Sequence, residues 1–76
     1  MKWLAKIDKP RQLKLEIVKE LFKDLNPNKP DTYGYYLYVW ENNRCTYDYL
    51  QDTLEIAIEQ AEEDFGVPKN AWTKVE

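Results

Sequence analysis

Apolar residues recur along the chain with two periods, and each period marks an element. In "DTLEIAIEQAEEDFGVP", Leu54, Ala57, Ile58, Ala61 and Phe65 fall at spacings of three and four. That spacing lines one face of a helix, predicted over residues 53–65. Glu55, Glu59, Glu62 and Glu63 lie on the wet side of the same helix. Asp52 is the expected N-cap, with Glu55 three residues on in the manner of a capping box. Gly66 suits a left-handed C-terminal position, Val67 supplies a hydrophobic contact beside it, and Pro68 forbids continuation.

The other period is two. The run from Tyr35 to Trp40 is apolar on both faces, which predicts a central strand with a neighbour on each side. "ENNR" places two Asn residues between Glu41 and Arg44. Asn tolerates the positive φ that both central positions of a type I′ hairpin turn require. A two-residue loop then opposes Trp40 to Cys45, Val39 to Thr46, Tyr38 to Tyr47, Leu37 to Asp48, Tyr36 to Tyr49 and Tyr35 to Leu50. Alternation sorts these into two faces. One carries Tyr36, Tyr38, Trp40, Cys45, Tyr47 and Tyr49. The other carries Tyr35, Leu37, Val39, Thr46, Asp48 and Leu50. A slip of one residue would scramble both sets.

Residues 11–25, "RQLKLEIVKELFKDL", fit both templates. As a helix, Leu13, Ile17, Leu21 and Leu25 repeat every fourth position, Val18 and Phe22 widen the stripe, and the residues are good helix formers. As a strand, Leu13, Leu15, Ile17, Leu21 and Leu25 share one face, interrupted by Lys19 and Lys23. Lys14, Glu16, Val18, Glu20, Phe22 and Asp24 then share the opposite face. The strand is preferred, because the run from Tyr35 to Trp40 needs a second neighbour. The helix remains the alternative. The tail "AWTKVE" reads as a short strand or extended segment, with Trp72 anchored in the core. The expected fold is α+β, a single domain over 1–76. An antiparallel sheet of three to four strands packs one face on the main helix.

Composition narrows the class. At 76 residues, 43% hydrophobic, 14% aromatic and 33% charged, the chain is globular rather than disordered. A domain this small buries only about 60% of its unfolded surface, so a few large side chains dominate its stability. A single Cys cannot form an internal disulfide, which fits a reducing, cytoplasmic setting. "MKWLAKIDKP" has charges within its short apolar run, unlike a signal peptide. No apolar run approaches the roughly 20 residues that span a bilayer. Residues 1–29 carry eight Lys/Arg against four Asp/Glu, a balance of +4. Residues 30–76 carry three against ten, a balance of −7; together they give the net −3. The two halves are expected to attract each other within the fold.

The run "YDYLQDTLEIAIEQAEEDFGVPKNAW" resembles small bacterial proteins of unassigned function. These share a Tyr-rich strand, a D-Y-L-Q-D-T-L-E lead into a helix, and an F-G-V-P exit followed by Trp. The likeness covers residues 33–72. It implies a fold unit and carries no known chemistry.

Catalytic and metal signatures are missing. Without His, no Cys–His or Ser–His–Asp arrangement forms within the chain, and one Cys offers no zinc set. Neither Gly34 nor Gly66 sits in a phosphate-cradling motif. Cys45 reads as a small packed residue, and Asp48 and Asp52 as a strand position and a cap. No enzyme activity and no cofactor are expected. The remaining candidates are surfaces. Glu59, Glu62 and Glu63 belong to an acidic helix, crowded toward the end where the macrodipole disfavours negative charge. That helix is either simply solvated or a dock for a basic partner. Tyr36, Tyr38, Trp40, Tyr47 and Tyr49 form the aromatic candidate. Between Pro30 and Pro68 the only basic residue is Arg44, which argues against nucleic acid, and no membrane partner is expected. Small Ala57 and Ala61 let the helix sit over bulky rings, so the aromatic face is expected beneath it. If the helix covers Leu37 and Val39 instead, the rings are exposed and mark an interaction site. The leading expectation is a non-catalytic interaction or accessory module that binds a protein or a second copy of itself. The alternative is a small-molecule or glycan site lined by Tyr and Trp.

Overall fold

The computed structural model describes residues 1–23 and 25–76. Strands β1 (Lys2–Ile7), β2 (Leu13–Phe22), β3 (Thr32–Glu41) and β4 (Arg44–Gln51) precede helix α1 (Leu54–Phe65). A single 3-10 turn (Lys69–Ala71) and a two-residue strand, β5 (Thr73–Lys74), close the chain. All pairings are antiparallel, in the order β4-β3-β2-β1-β5. The fold is α+β, as the sequence predicts. The sheet has five strands, one more than the three to four expected, and the smallest is an edge strand of two residues.

Residues 11–25 contribute a strand, not a helix. β2 lies between β1 and β3, with Ile17 opposite both Trp3 and Leu37. Leu13, Leu15 and Ile17 are buried, whereas Leu21 is 43% and Leu25 101% exposed. A helical stripe would have placed Leu21 and Leu25 in the core with Leu13 and Ile17. Strong helix formers are overridden here by the two flanking strands, which satisfy the backbone of β2 on both edges. The strand ends at Phe22, and Asp24 lies outside the described residues.

The β3–β4 turn forms as expected. Asn42 and Asn43 have φ of 52° and 63°, and Glu41 and Trp40 oppose Arg44 and Cys45. Beyond that point the expected register fails. A bulge leaves Thr46 unopposed, so Val39 faces Tyr47, Tyr38 faces Asp48, Leu37 faces Tyr49 and Tyr36 faces Leu50. Thr46 Oγ1 donates to the Val39 carbonyl at 3.2 Å, occupying a group that the irregular ladder leaves available. One extra residue moves Tyr47 and Tyr49 to the opposite face of the sheet.

Helix α1 packs on the face made by Leu13, Leu15, Ile17, Leu37 and Val39, burying Ala57 and Ala61 against them. Trp3, Tyr35, Tyr49, Phe65 and Trp72 close the edges of this core. Burial of four large aliphatic strand residues at 0% exposure (Leu15, Ile17, Leu37 and Val39) stabilises each by about 1.5–3 kcal/mol relative to exposure. The helix starts one residue later than Asp52 predicts. Thr53 is the N-cap, and its Oγ1 accepts from the Ile56 N–H at 3.1 Å. At the other end Gly66 takes φ 72°. The N–H groups of Gly66 and Val67 donate to the carbonyls of Glu62 and Ala61. Gln51 Nε2 donates to Gln60 Oε1 at 2.7 Å, tying the end of β4 to the helix. Gln51 reaches that side only because of the bulge.

Candidate functional site

Because α1 takes the aliphatic face, the opposite face of the sheet is left open. The sequence reading favours the helix over the rings, and the structure reverses that choice. The aliphatic face of β3 aligns with Leu13, Leu15 and Ile17 of β2, and these with Ile7, Ala5 and Trp3 of β1, so it alone offers a continuous apolar floor across three strands. No described element packs over the other face, which is built in rows across the strands. At the turn end lies Lys6–Lys14–Trp40–Cys45. Next comes Leu4–Glu16–Tyr38–Asp48, then Lys2–Val18–Tyr36–Leu50, then Glu20–Gly34, and last Phe22–Thr32.

An aromatic ladder climbs the middle of this face. Phe22 and Tyr36 have ring centroids 6.1 Å apart, and Tyr36 stacks on Tyr38 at 5.8 Å with 15° between planes. Trp40 continues the row on the same strand, and its Nε1 donates to Glu16 Oε1 at 3.2 Å. The other Glu16 oxygen lies 3.5 Å from Lys2 Nζ, so this carboxylate is engaged on both sides. The Tyr38 phenol is held above the ordinary tyrosine range, first by burial and then by the anionic forms of Tyr36, Glu20, Asp48 and Cys45 around it. Gly34 lets the ladder close at its far end. A Cβ there would stand 2.5 Å from the Phe22 ring and 2.7 Å from a Leu50 methyl, so both side chains lie close over the bare backbone.

The predicted surface residues therefore divide. Tyr36, Tyr38 and Trp40 sit together on the open face, each half-buried among its neighbours. Tyr47 and Tyr49 do not join them. They stack at 5.9 Å on the helix side, where Tyr47 also meets Phe65 at 5.5 Å. Glu59, Glu62 and Glu63 are exposed on α1, on the far side of the molecule from the ladder. Leu4, Val18, Phe22 and Leu50 belong to the open face, although the sequence reading leaves them out of the candidate surface. Val18 and Phe22, standing among Lys and Glu on the polar face of β2, were the available signal.

The expected attraction between the basic and acidic halves is met in part: among the described residues, Lys2 pairs with Glu76 at 4.0 Å and Arg11 with Glu41 at 3.2 Å. Lys2 also pairs with Glu16 within the basic half. No acidic residue of α1 is in an ion pair among the described residues. Lys2, Lys6 and Lys14 point to the sheet face away from the helix. At the turn end a groove of about 570 Å³ lies between the β1–β2 loop and the Asn42–Asn43 turn, with Lys6, Lys14, Glu16 and Trp40 in its wall. Among the described residues no group of three or more Cys, Asp or Glu stands close enough to hold a metal ion. No described helix is long and apolar enough to cross a membrane.

Fold and face together define a class, a small α+β protein with a five-stranded antiparallel sheet that is helix-covered on one side and aromatic on the other. Comparison with known protein families, curated proteins and solved structures finds no match for the chain.

Proposed function

We propose that the protein is a non-catalytic interaction module that binds a protein partner through the open sheet face. The observation that supports this most is the ladder Phe22–Tyr36–Tyr38, with Trp40 next on the same face of β3 and Leu50 beside it at 52% exposure. Antiparallel sheets usually present polar residues on a solvated face. Aromatic residues gathered centrally with charges around them are instead the composition of interface cores. The protein works in the cytoplasm, a reading supported by the lone, exposed Cys45. The likeness of residues 33–72 to small bacterial proteins belongs to the same reading and adds no chemistry to it. A photo-crosslinking residue at position 38, introduced in cells of the source organism, is expected to give a discrete adduct. The same residue at Glu59 on the helix is expected to give none. Adducts only from position 59 would move the site to the acidic helix.

The groove beside Trp40 favours a second reading, a small-ligand site with the indole as one wall. It predicts that a glycan or metabolite library changes the Trp fluorescence of the protein and not that of Trp40→Phe. Equal responses from both proteins would remove it.

A further inference from the structure

We infer that the partner of the open face is a second copy of the same chain, docked face to face about a two-fold axis. This inference rests on the open face being the interaction surface. A two-fold interface uses one patch twice, so the patch must be complementary to itself.

The charges meet that condition. The strand residues of the open face carry Lys2, Lys6 and Lys14 against Glu16, Glu20 and Asp48, a balance of zero in a chain of net −3. The other side is different: α1 carries five acidic residues and no basic one, so helix-to-helix contact between copies is repelled. The placement of the charges is more telling than their balance. From the turn end toward the arm, successive rows carry +2, −2, +1 and −1. An axis running across the strands, between the Glu16 row and the Val18 row, reverses this order in the second copy. The Lys6–Lys14 row then lies over the Glu20 row of the second copy. The Glu16–Asp48 row lies over its Lys2 row, and Tyr36 lies over its Tyr38. Every positive row meets a negative one.

The isolated chain leaves a tension that this arrangement relieves. Lys6 and Lys14 are directly opposed across β1 and β2, a like-charge pair that disfavours the sheet. Neither lysine is in an ion pair among the described residues. Glu16, the next residue along the same face of β2, is already held by Lys2 and Trp40. A second copy brings a carboxylate to them. Four strands about 4.8 Å apart and six residues at about 3.3 Å each give a patch of about 380 Å² in projection. Two such patches bury roughly 760 Å², below the roughly 1,000 Å² of a stable specific interface, so the dimer is weak and concentration-dependent.

Sedimentation velocity between roughly 5 and 500 µM covers the range in which an interface of this size assembles. The wild-type chain is expected to shift from monomer to dimer, and Tyr38→Lys to stay monomeric with an unchanged far-UV spectrum. Lys14→Glu and Glu20→Lys are each expected to weaken dimerisation by about tenfold or more, and the double variant to restore it. Lys14 and Glu20 are six residues apart on one strand, about 20 Å, so rescue cannot arise within a chain. Both are exposed, which keeps these variants informative even if Tyr38→Lys unfolds. A wild-type monomer at every concentration, or charge variants that are not rescued by combination, would overturn the inference. The crosslinker at position 38 separates the two levels. An adduct with a different protein from a chain that stays monomeric overturns self-association and leaves the interaction reading standing. No adduct of either kind overturns both.

Discussion

Tyr38 shows how one side chain reports on the whole face. The residue is half-buried beside Tyr36, in the row that also carries Glu16 and Asp48, and both desolvation and nearby negative charge favour the neutral phenol. The folded state therefore holds the proton more tightly than the unfolded chain does. Below the ordinary tyrosine pKa both states are protonated, and this residue adds no pH dependence. As pH rises from that value toward the raised folded value, the unfolded chain loses the proton while the folded chain keeps it, and stability falls. Urea midpoints measured across alkaline pH are expected to show this decline in the wild type and a smaller one in Tyr38→Phe. Equal slopes would mean that folding does not perturb the Tyr38 phenol.

At the scale of elements, the cap and the bulge carry most of what distinguishes this hairpin and helix. Thr53, with φ −135° and its hydroxyl on the Ile56 N–H, is the N-cap. Asp52 precedes the helix and is exposed. Thr53→Ala is expected to cost about 1 kcal/mol, and Asp52→Ala only a few tenths, from its charge near the positive end of the helix dipole. Chemical denaturation of the two variants tests the assignment, and the reverse order would return the cap to Asp52. The sequence "QDTLEI" permits either residue, since both Asp and Thr cap well. With Thr46 bulged out, Gln51 rather than Leu50 stands opposite Tyr35 at the end of β4, and Thr53 is the residue that reaches the cap position.

At the scale of the molecule, the core is short and the sheet is long. Extents of 47 × 24 × 22 Å reflect the β2–β3 hairpin running past the body. β1 pairs with β2 only as far as Val18, and β4 pairs with β3 only from Tyr35 onward. Glu20 to Phe22 and Thr32 to Gly34 thus form a two-stranded arm. Ile17 and Leu21 share one face of one strand, yet Ile17 is fully buried under α1 and Leu21 is 43% exposed. Ile17→Ala is expected to cost about 2–5 kcal/mol, a large share of the total for a small domain. Leu21→Ala should stay within about 1 kcal/mol. Comparable losses would show that the arm is packed more tightly than its exposure indicates.

The local features were legible in the sequence: a helix expected over 53–65 and found at Leu54–Phe65, its Gly66–Pro68 stop, the Asn42–Asn43 turn, and the alternation of β3 and the residues next to the turn. Each depends on neighbours within a few positions, through backbone propensity and side-chain period. Trp40 opposite Cys45 was legible for that reason. Tertiary structure decided three things. It chose strand over helix for residues 13–22, because flanking strands outweigh a fraction of a kcal/mol per residue of helix propensity. It bulged Thr46, which moved Tyr47 and Tyr49 away from the other three rings. It also placed α1 on the aliphatic face, because only there do β2 and β3 present a continuous apolar floor to Ala57 and Ala61. The candidate site was half legible as a result. Tyr36, Tyr38 and Trp40 share a face by strand alternation alone, but their exposure depended on which side of the sheet α1 packs, a choice no local pattern encodes.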